Sequence, residues 1–243
     1  MPEQLFVTEF LNRYLAGPVT VLLRMVHFEP KYPLAPISNS VAMELLVFVF
    51  LLLLFVLVRS GLSVERPGGL QHLFEGVHGF VQGQSEEIIG HHSERFTPFL
   101  VSLGLFILIS NLLGLIPGFE SPTGVPVVPL GCAILAFLYY QAQGFRKNGI
   151  GYLKHFLGPM WWLSPLMLPL EIISHFARIL SLTARLYANM FAGDMVTWVW
   201  FSLVPLGVPI IFLGLHAFVA FLQAYIFILL TMAYLSGAVA EEH

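Results

Sequence analysis

The sequence predicts an all-α membrane protein, a polytopic helical bundle of about five membrane-embedded helices, the last two long and strongly tilted, plus a surface amphipathic helix. Two observations predict it. Of 243 residues, 57% are hydrophobic and only 10% charged, against roughly 25% charged in soluble proteins, which is too few charges to clothe a water-facing surface. Three runs, 96–119, 121–145 and 195–240, hold no Asp, Glu, Lys or Arg, and about 20 apolar residues span a bilayer.

The chain reads as a single membrane domain, 1–243, whose elements follow in order. Residues 1–39 form an outer N-terminal segment, punctuated by Pro18, Pro30, Pro33 and Pro36, with a short surface helix followed by an extended approach to the membrane. Glu3, Glu9 and Arg13 interrupt its apolar residues, so it does not read as a signal peptide and Met1 is the expected mature start. Span one covers 40–58. Its core from Leu45 has no polar residue and stops at Arg59, before Arg66, Pro67, Gly68 and Gly69; it should pack or face lipid without chemistry. Over 67–94, Leu70, Leu73, Phe74, Val77, Phe80, Val81 and Ile88 recur at helical spacing, with Gln71, His72, Glu75, Gln82 and Glu86 elsewhere on the wheel, which predicts an interfacial helix.

Residues 96–145 form a helical hairpin of spans two and three, turning at Pro117, Gly118, Pro122, Gly124 and Pro126. Within 164–240 lie two overlong helices. The first, about 37 residues over 164–200, makes a rod of about 55 Å, and the second, 209–240, is similar; neither fits a hydrocarbon core of ~30 Å without leaning. Basic residues orient the chain. Arg59, Arg66 and Arg95 follow span one and Arg146, Lys147 and Lys154 follow span three, whereas 117–124 and 202–209 have none, so the basic loops face the cytoplasm. The N-terminus is then outside, and Glu241, Glu242 and His243 are inside.

Several functions are excluded. Eleven Lys plus Arg against fourteen Asp plus Glu give a net charge of −3, with no basic cluster for nucleic acid. Cys132 is alone, so neither a disulfide framework nor a thiolate metal cage is available, and no cofactor or metal is expected. No GxxxxGKS or GxxxxGKT motif occurs, so any ATP chemistry belongs to a partner.

The polar residues of the last hundred positions are not scattered. Glu171, Ser174, His175, Arg178, Ser181, Arg185 and Asn189 fall within an arc of about 120° on a helical wheel. Intramembrane Ser, Asn or His usually glues helices together. Arginine costs from ~3 to more than 10 kcal/mol at mid-bilayer and demands a partner or a watery cavity. Arg178 and Glu171 can snorkel to the cytoplasmic end, but Arg185 in the middle cannot. Asp194 lies about 140° away and further out, while His216, Gln223 and Tyr234 share a face of the final helix. With the two helices antiparallel, Asp194 approaches His216. Carboxylates and imidazoles exchange protons near neutral pH and arginine does not. The sequence thus supplies relays at two depths, Glu171/His175 and Asp194/His216, separated by an unexchangeable cation, which is the logic of two half-channels that do not connect.

SLTARLYANMFAGD at Ser181–Asp194, with LQAYIFILLTMAYLS at Leu222–Ser236 and ISNLLGLIP at Ile109–Pro117, resembles subunit a of the F-type ATP synthase membrane sector in its bacterial form. The family's pattern is met by Arg185, Leu186, Tyr187, Asn189, Met190, Gly193 and Asp194. Some relatives carry an acid at Gly114 and Glu at Asp194; the aspartate keeps the chemistry with a shorter reach. The resemblance implies a non-catalytic, proton-translocating stator subunit in a bacterial inner membrane, working with a ring of proton-carrying subunits, a peripheral-stalk subunit and the rest of the complex. Arg185 would face the ring's mid-membrane carboxylates, where an opposite charge at ~4 Å and an effective dielectric near 20 is worth about 4 kcal/mol. Asp194 and His216 would line the outer path, Glu171, His175 and Ser174 the cytoplasmic path, and Asn189 and Gln223 would orient water or Arg185, or simply hydrogen-bond between helices. Protons are the simpler cargo for such relays than Na⁺. Two other classes remain: a cytochrome using His175 and His216 as haem ligands, which leaves Arg185 and Asp194 unexplained, and a self-contained secondary transporter, which would usually show internal repeats that this sequence lacks.

Overall fold

A computed structural model of the chain describes residues 5–25, 35–63, 68–90, 93–116, 119–149, 164–204 and 207–239. Pro30, Pro33, Arg66, His91, His92, Pro117, Gly118, Lys154 and the C-terminal Glu241, Glu242 and His243 lie outside them. The described elements are all helical: α1 (Phe6–Met25), α2 (Asn39–Ser60), α3 (Gly69–Ile89), α4 (Thr97–Leu113), α5 (Val127–Asn148), α6 (Ser164–Leu203) and α7 (Val208–Val239), with 3-10 turns at Ser93–Arg95 and Pro122–Gly124. Four of these helices are long and apolar enough to cross a membrane, and Thr97–Leu113 is a shorter apolar one. The chain is a multi-pass all-α membrane protein.

The N-terminal helix is longer than its prolines suggest, running 20 residues straight through Pro18. It is tied to the start of α2 by one amide: Asn12 Nδ2 donates to the Ile37 carbonyl and Ile37 N–H to Asn12 Oδ1, both at 3.1 Å. Ser38 caps α2, accepting from Val41 N–H at 3.4 Å. Only Ala42, Met43, Val47 and Leu51 of α2 are buried, on a seam that packs with Leu113 of α4; most of its other apolar side chains are exposed, as those of lipid-solvated helices are.

The amphipathic reading of α3 needs refinement. Gln71, Val81 and Ser85 are its buried residues, while Leu70, Leu73 and Phe80 are exposed. Gln71 goes inward because its amide closes the chain after α2, accepting from Ser63 N–H at 3.0 Å and donating to Ser63 O at 3.2 Å. At the other end, Ser236 Oγ of α7 donates to Ile88 O at 2.8 Å. Both ends of α3 are therefore fastened to the same end of the bundle, so it lies across the membrane helices instead of spanning beside them.

The α4/α5 pair forms the hairpin, with Phe99 and Tyr139 stacked at 3.7 Å, and α5 ends at Gly149, whose φ of 55° suits glycine. Helices α6 and α7 have 40 and 32 residues, about 60 and 48 Å long, so both lean in the bilayer. They run antiparallel: Trp200 stacks on Phe212 at 5.1 Å near their connection, and Arg178 lies 5.1 Å over the Tyr234 ring at the far end. Helix α7 is the central post, packed against α3, α4, α5 and α6. Close approach needs small residues, and α7 supplies Ala220 and Ala224 to a core that includes Leu103, Ile107, Ala133, Leu186 and Met190. On α4, a Cβ at Gly104 would collide with Ile228.

The last carbonyls of α7 are capped from α5. Lys147 Nζ donates to Val239 O at 2.9 Å and Asn148 Nδ2 to Ala238 O at 3.4 Å, where a cation also meets the negative end of the helix dipole. Lys147→Met keeps the apolar stem and removes the donor. Hydrogen exchange of the final α7 turn should then quicken about fivefold, the value of one hydrogen bond, with the amides around Ala220 unchanged.

Candidate functional site: two polar pairs and an isolated cation

The first pair sits where α6 and α7 approach their connection. His216 on α7 is 3% exposed, and its Nδ1 lies 3.7 Å from Oδ1 of half-buried Asp194 on α6. Two glycines make that proximity possible. A Cβ at Gly193 would stand 2.9 Å from His216 Nε2, and one at Gly124 would stand 3.1 Å from Asp194 Oδ2. Beside the pair opens a cavity of about 300 Å³ whose walls include Asp194, Thr197, His216, Gly114 and Phe119. The end of the hairpin is therefore one wall of this cavity, with Gly114 seated against Ser121, where a Cβ would meet Ser121 Cβ at 2.7 Å.

Residues that the sequence reading did not single out hold this end together. Asn111 is fully buried; its Nδ2 donates to Ala220 O of α7 at 3.1 Å and its Oδ1 accepts from Thr123 at 2.6 Å. Thr123 lies 2.8 Å from the Ser121 hydroxyl, which reaches Ser110 O at 3.2 Å. The network joins α4, the turn and α7 one helical turn from His216. Exposed Glu120 receives Asn39 Nδ2 at 3.4 Å. The signal for Asn111 was present, a polar side chain in an otherwise uncharged span; its partners lie on other elements.

The second pair lies 23 residues back along α6, about 35 Å away. His175 Nε2 is 3.5 Å from Glu171 Oε1, one turn apart. On its other side, His175 Nδ1 is 3.3 Å from the hydroxyl of Tyr140 on α5, a residue also missed. Ser174 is half-buried beside them in sequence.

Between the pairs stands Arg185. It is exposed, nine residues from Asp194 and ten from His175, or about 13 and 15 Å along the helix, and it has no hydrogen bond or ion pair among the described residues. Half-buried Asn189 and buried Gln223 do not hydrogen-bond to it. Ala177, Ser181, Ala184, Ala188 and Ala192 are all exposed, a row of small side chains running down the same open side of α6. The two histidines cannot bind one haem, because His216 meets α6 at Gly193, about 27 Å along the helix from His175. Among the described residues no group of three or more His, Cys, Asp and Glu side chains is placed to hold a metal ion.

The family model of the ATP synthase A chain matches residues 41–236. The chain belongs to that family. An ATP synthase subunit a of Koribacter versatilis is 59% identical over the whole of both chains. That of Solibacter usitatus is 53% identical over 96% of this chain and 99% of its own length, and that of Geotalea uraniireducens 40% over 85% and 90%. Every candidate residue from Glu171 to Gln223 lies inside the segment that matches the ATP synthase A chain.

Gly193 offers a test of the first pair's packing. Gly193→Ala forces the His216 ring away and should cost about 1–3 kcal/mol as an overpacked contact, read as a lower thermal midpoint of the purified protein. Gly193→Ala combined with His216→Ala should recover part of the loss; equal midpoints for the two would mean that the ring does not rest on Gly193.

Proposed function

We propose that the chain is the proton-translocating stator subunit of a rotary F-type ATP synthase in a bacterial inner membrane, with its N-terminus outside and its C-terminus in the cytoplasm. The observation that carries the reading is Arg185, a permanent cation on the open side of a membrane helix with no hydrogen bond or ion pair among the described residues. Leaving it so in hydrocarbon costs several kcal/mol at least. A neighbouring subunit with a mid-membrane carboxylate removes that cost, and the row from Ala177 to Ala192 lets its helix come close. The curated relatives bear the name ATP synthase subunit a, which supports placing this chain beside the carboxylate-bearing ring, the peripheral-stalk subunit and the rest of that complex.

In this reading a proton enters from outside through the cavity beside Thr197, passes by Asp194 and His216, and loads a ring carboxylate. As the ring turns, the carboxylate meets Arg185, which favours its ionised form and drives the proton toward Glu171, His175 and Ser174. The same cation stops protons from passing directly between the two paths, since a guanidinium does not give up its proton. The chain does no bond-making chemistry on nucleotide itself. Asn189 and Gln223 line the route near Arg185 as polar sites for water.

Arg185→Ala should lower proton-driven ATP synthesis in inverted vesicles by at least about 100-fold, the scale of a lost preorganised charge, with the complex still assembled. Arg185→Lys should fail as well, because a compact ammonium lacks the planar fork and loses its charge more readily on burial. Near-normal synthesis in either variant would refute the assignment.

The two paths are separately testable. In a Cys132→Ser background, a small hydrophilic thiol reagent should reach Thr197→Cys from the outer side and Ser174→Cys from the cytoplasmic side. Labelling of both from one side would mean a continuous pore.

A further inference from the structure

The Glu171/His175 pair is legible along one helix, but the side chain that completes it comes from another. Tyr140 on α5 is 2% exposed and His175 8%, and the Tyr140 hydroxyl lies 3.3 Å from His175 Nδ1 while Nε2 lies 3.5 Å from Glu171 Oε1. A neutral imidazole has one N–H donor and one acceptor nitrogen, and an ionised carboxylate only accepts. With Glu171 ionised, the arrangement that satisfies both neighbours puts the proton on Nε2, aimed at the carboxylate, and leaves Nδ1 to accept from Tyr140. The opposite tautomer sets a lone pair against the carboxylate.

The rings are held for this geometry. Phe137, one turn before Tyr140, stands edge-on to both, at 5.3 Å and 85° to Tyr140 and 5.6 Å and 71° to His175. Tyr234 of α7 closes the far side, 6.0 Å from Tyr140. A buried tyrosine hydroxyl takes a polar partner, and here that partner is a proton-exchanging group.

We propose that Tyr140 is the positioning residue for His175, donating its hydroxyl proton to Nδ1 so that the imidazole presents Nε2–H to Glu171 and exchanges protons on that side. The proposal rests on the reading of Glu171 and His175 as the cytoplasmic proton path. It adds a function for α5, which otherwise only supports α6 and α7, and it explains why an aromatic residue with a polar tip stands where Phe would pack as well.

The experiment uses the assembled complex in membranes with ¹⁵N-labelled histidine in this chain, the His175 signals being assigned by their loss in His175→Gln. In the parent, Nε2 should be protonated and Nδ1 not. Tyr140→Phe, which keeps the ring and removes the hydroxyl, should shift the ratio of tautomers about two- to tenfold toward Nδ1–H, the value of one hydrogen bond. It should lower ATP synthesis by a similar factor, and it should have no further effect in a His175→Gln background. An unchanged nitrogen spectrum overturns the proposal, and so does an equal loss from Tyr140→Phe with and without His175, which would mark the tyrosine as packing only. If His175→Gln alone leaves synthesis intact, the route assignment falls, while the nitrogen spectrum still upholds or overturns the positioning role.

Discussion

An arginine on an open face of a long apolar helix is the constraint on which the rest of this molecule depends. Its charge cannot be shed and no described residue pairs it, so on the proposed reading the bundle is energetically incomplete alone. On that reading the open side of α6 is a working surface: it carries the row of small residues from Ala177 to Ala192, while Leu182, Leu186 and Met190 are turned inward against α7 and the hairpin. The same constraint displaces the exchangeable groups. A carboxylate next to Arg185 on α6 would neutralise it within the chain, and both Glu171 and Asp194 stand at least about 13 Å along the helix from it.

Much of this was legible in the sequence because the signals lie along single helices. The uncharged runs mark the apolar helices, the overlong C-terminal segments mark leaning ones, and the polar arc from Glu171 to Asn189 needs only the helical period. The pairing of Asp194 with His216 follows from counting along two antiparallel helices, and in the structure the two side chains meet. The route that each pair serves is a matter of function and rests on the proposal.

What escaped the sequence are contacts made across elements. Tyr140, Asn111 and Thr123 sit in segments whose own periodicity is that of ordinary apolar helices or turns, and their partners are 35, 109 and 12 residues away. The inward turn of Gln71 escaped because binary patterning assigns every glutamine to the wet face, whereas this one is satisfied by Ser63. Span one also holds more than expected. Glu44 sits about a turn and a half into α2 and borders, with Phe48, Phe55, Phe106 and Cys132, a groove of about 760 Å³ between α2, α4 and α5, so this helix stands partly away from the hairpin instead of sealing against it.

The two ends of α6 reach their geometry by opposite means. Near Asp194 the imidazole is brought in by subtraction: Gly193 and Gly124 lack the atoms that would push it and the carboxylate away, and a cavity remains beside them. Near His175 the imidazole is held by addition, wedged among Phe137, Tyr140 and the Glu171 carboxylate. Removal of side chains leaves room for water, which can carry protons through many arrangements and tolerates loose geometry. Dense aromatic packing excludes water, so a proton there must pass through the side chains themselves and their hydrogen-bond directions must be set. On the proposed reading, the outer path is therefore defined by its space and the cytoplasmic path by its donors and acceptors, which is why a hydroxyl on α5 matters at one end and the absence of a methyl group on α6 matters at the other.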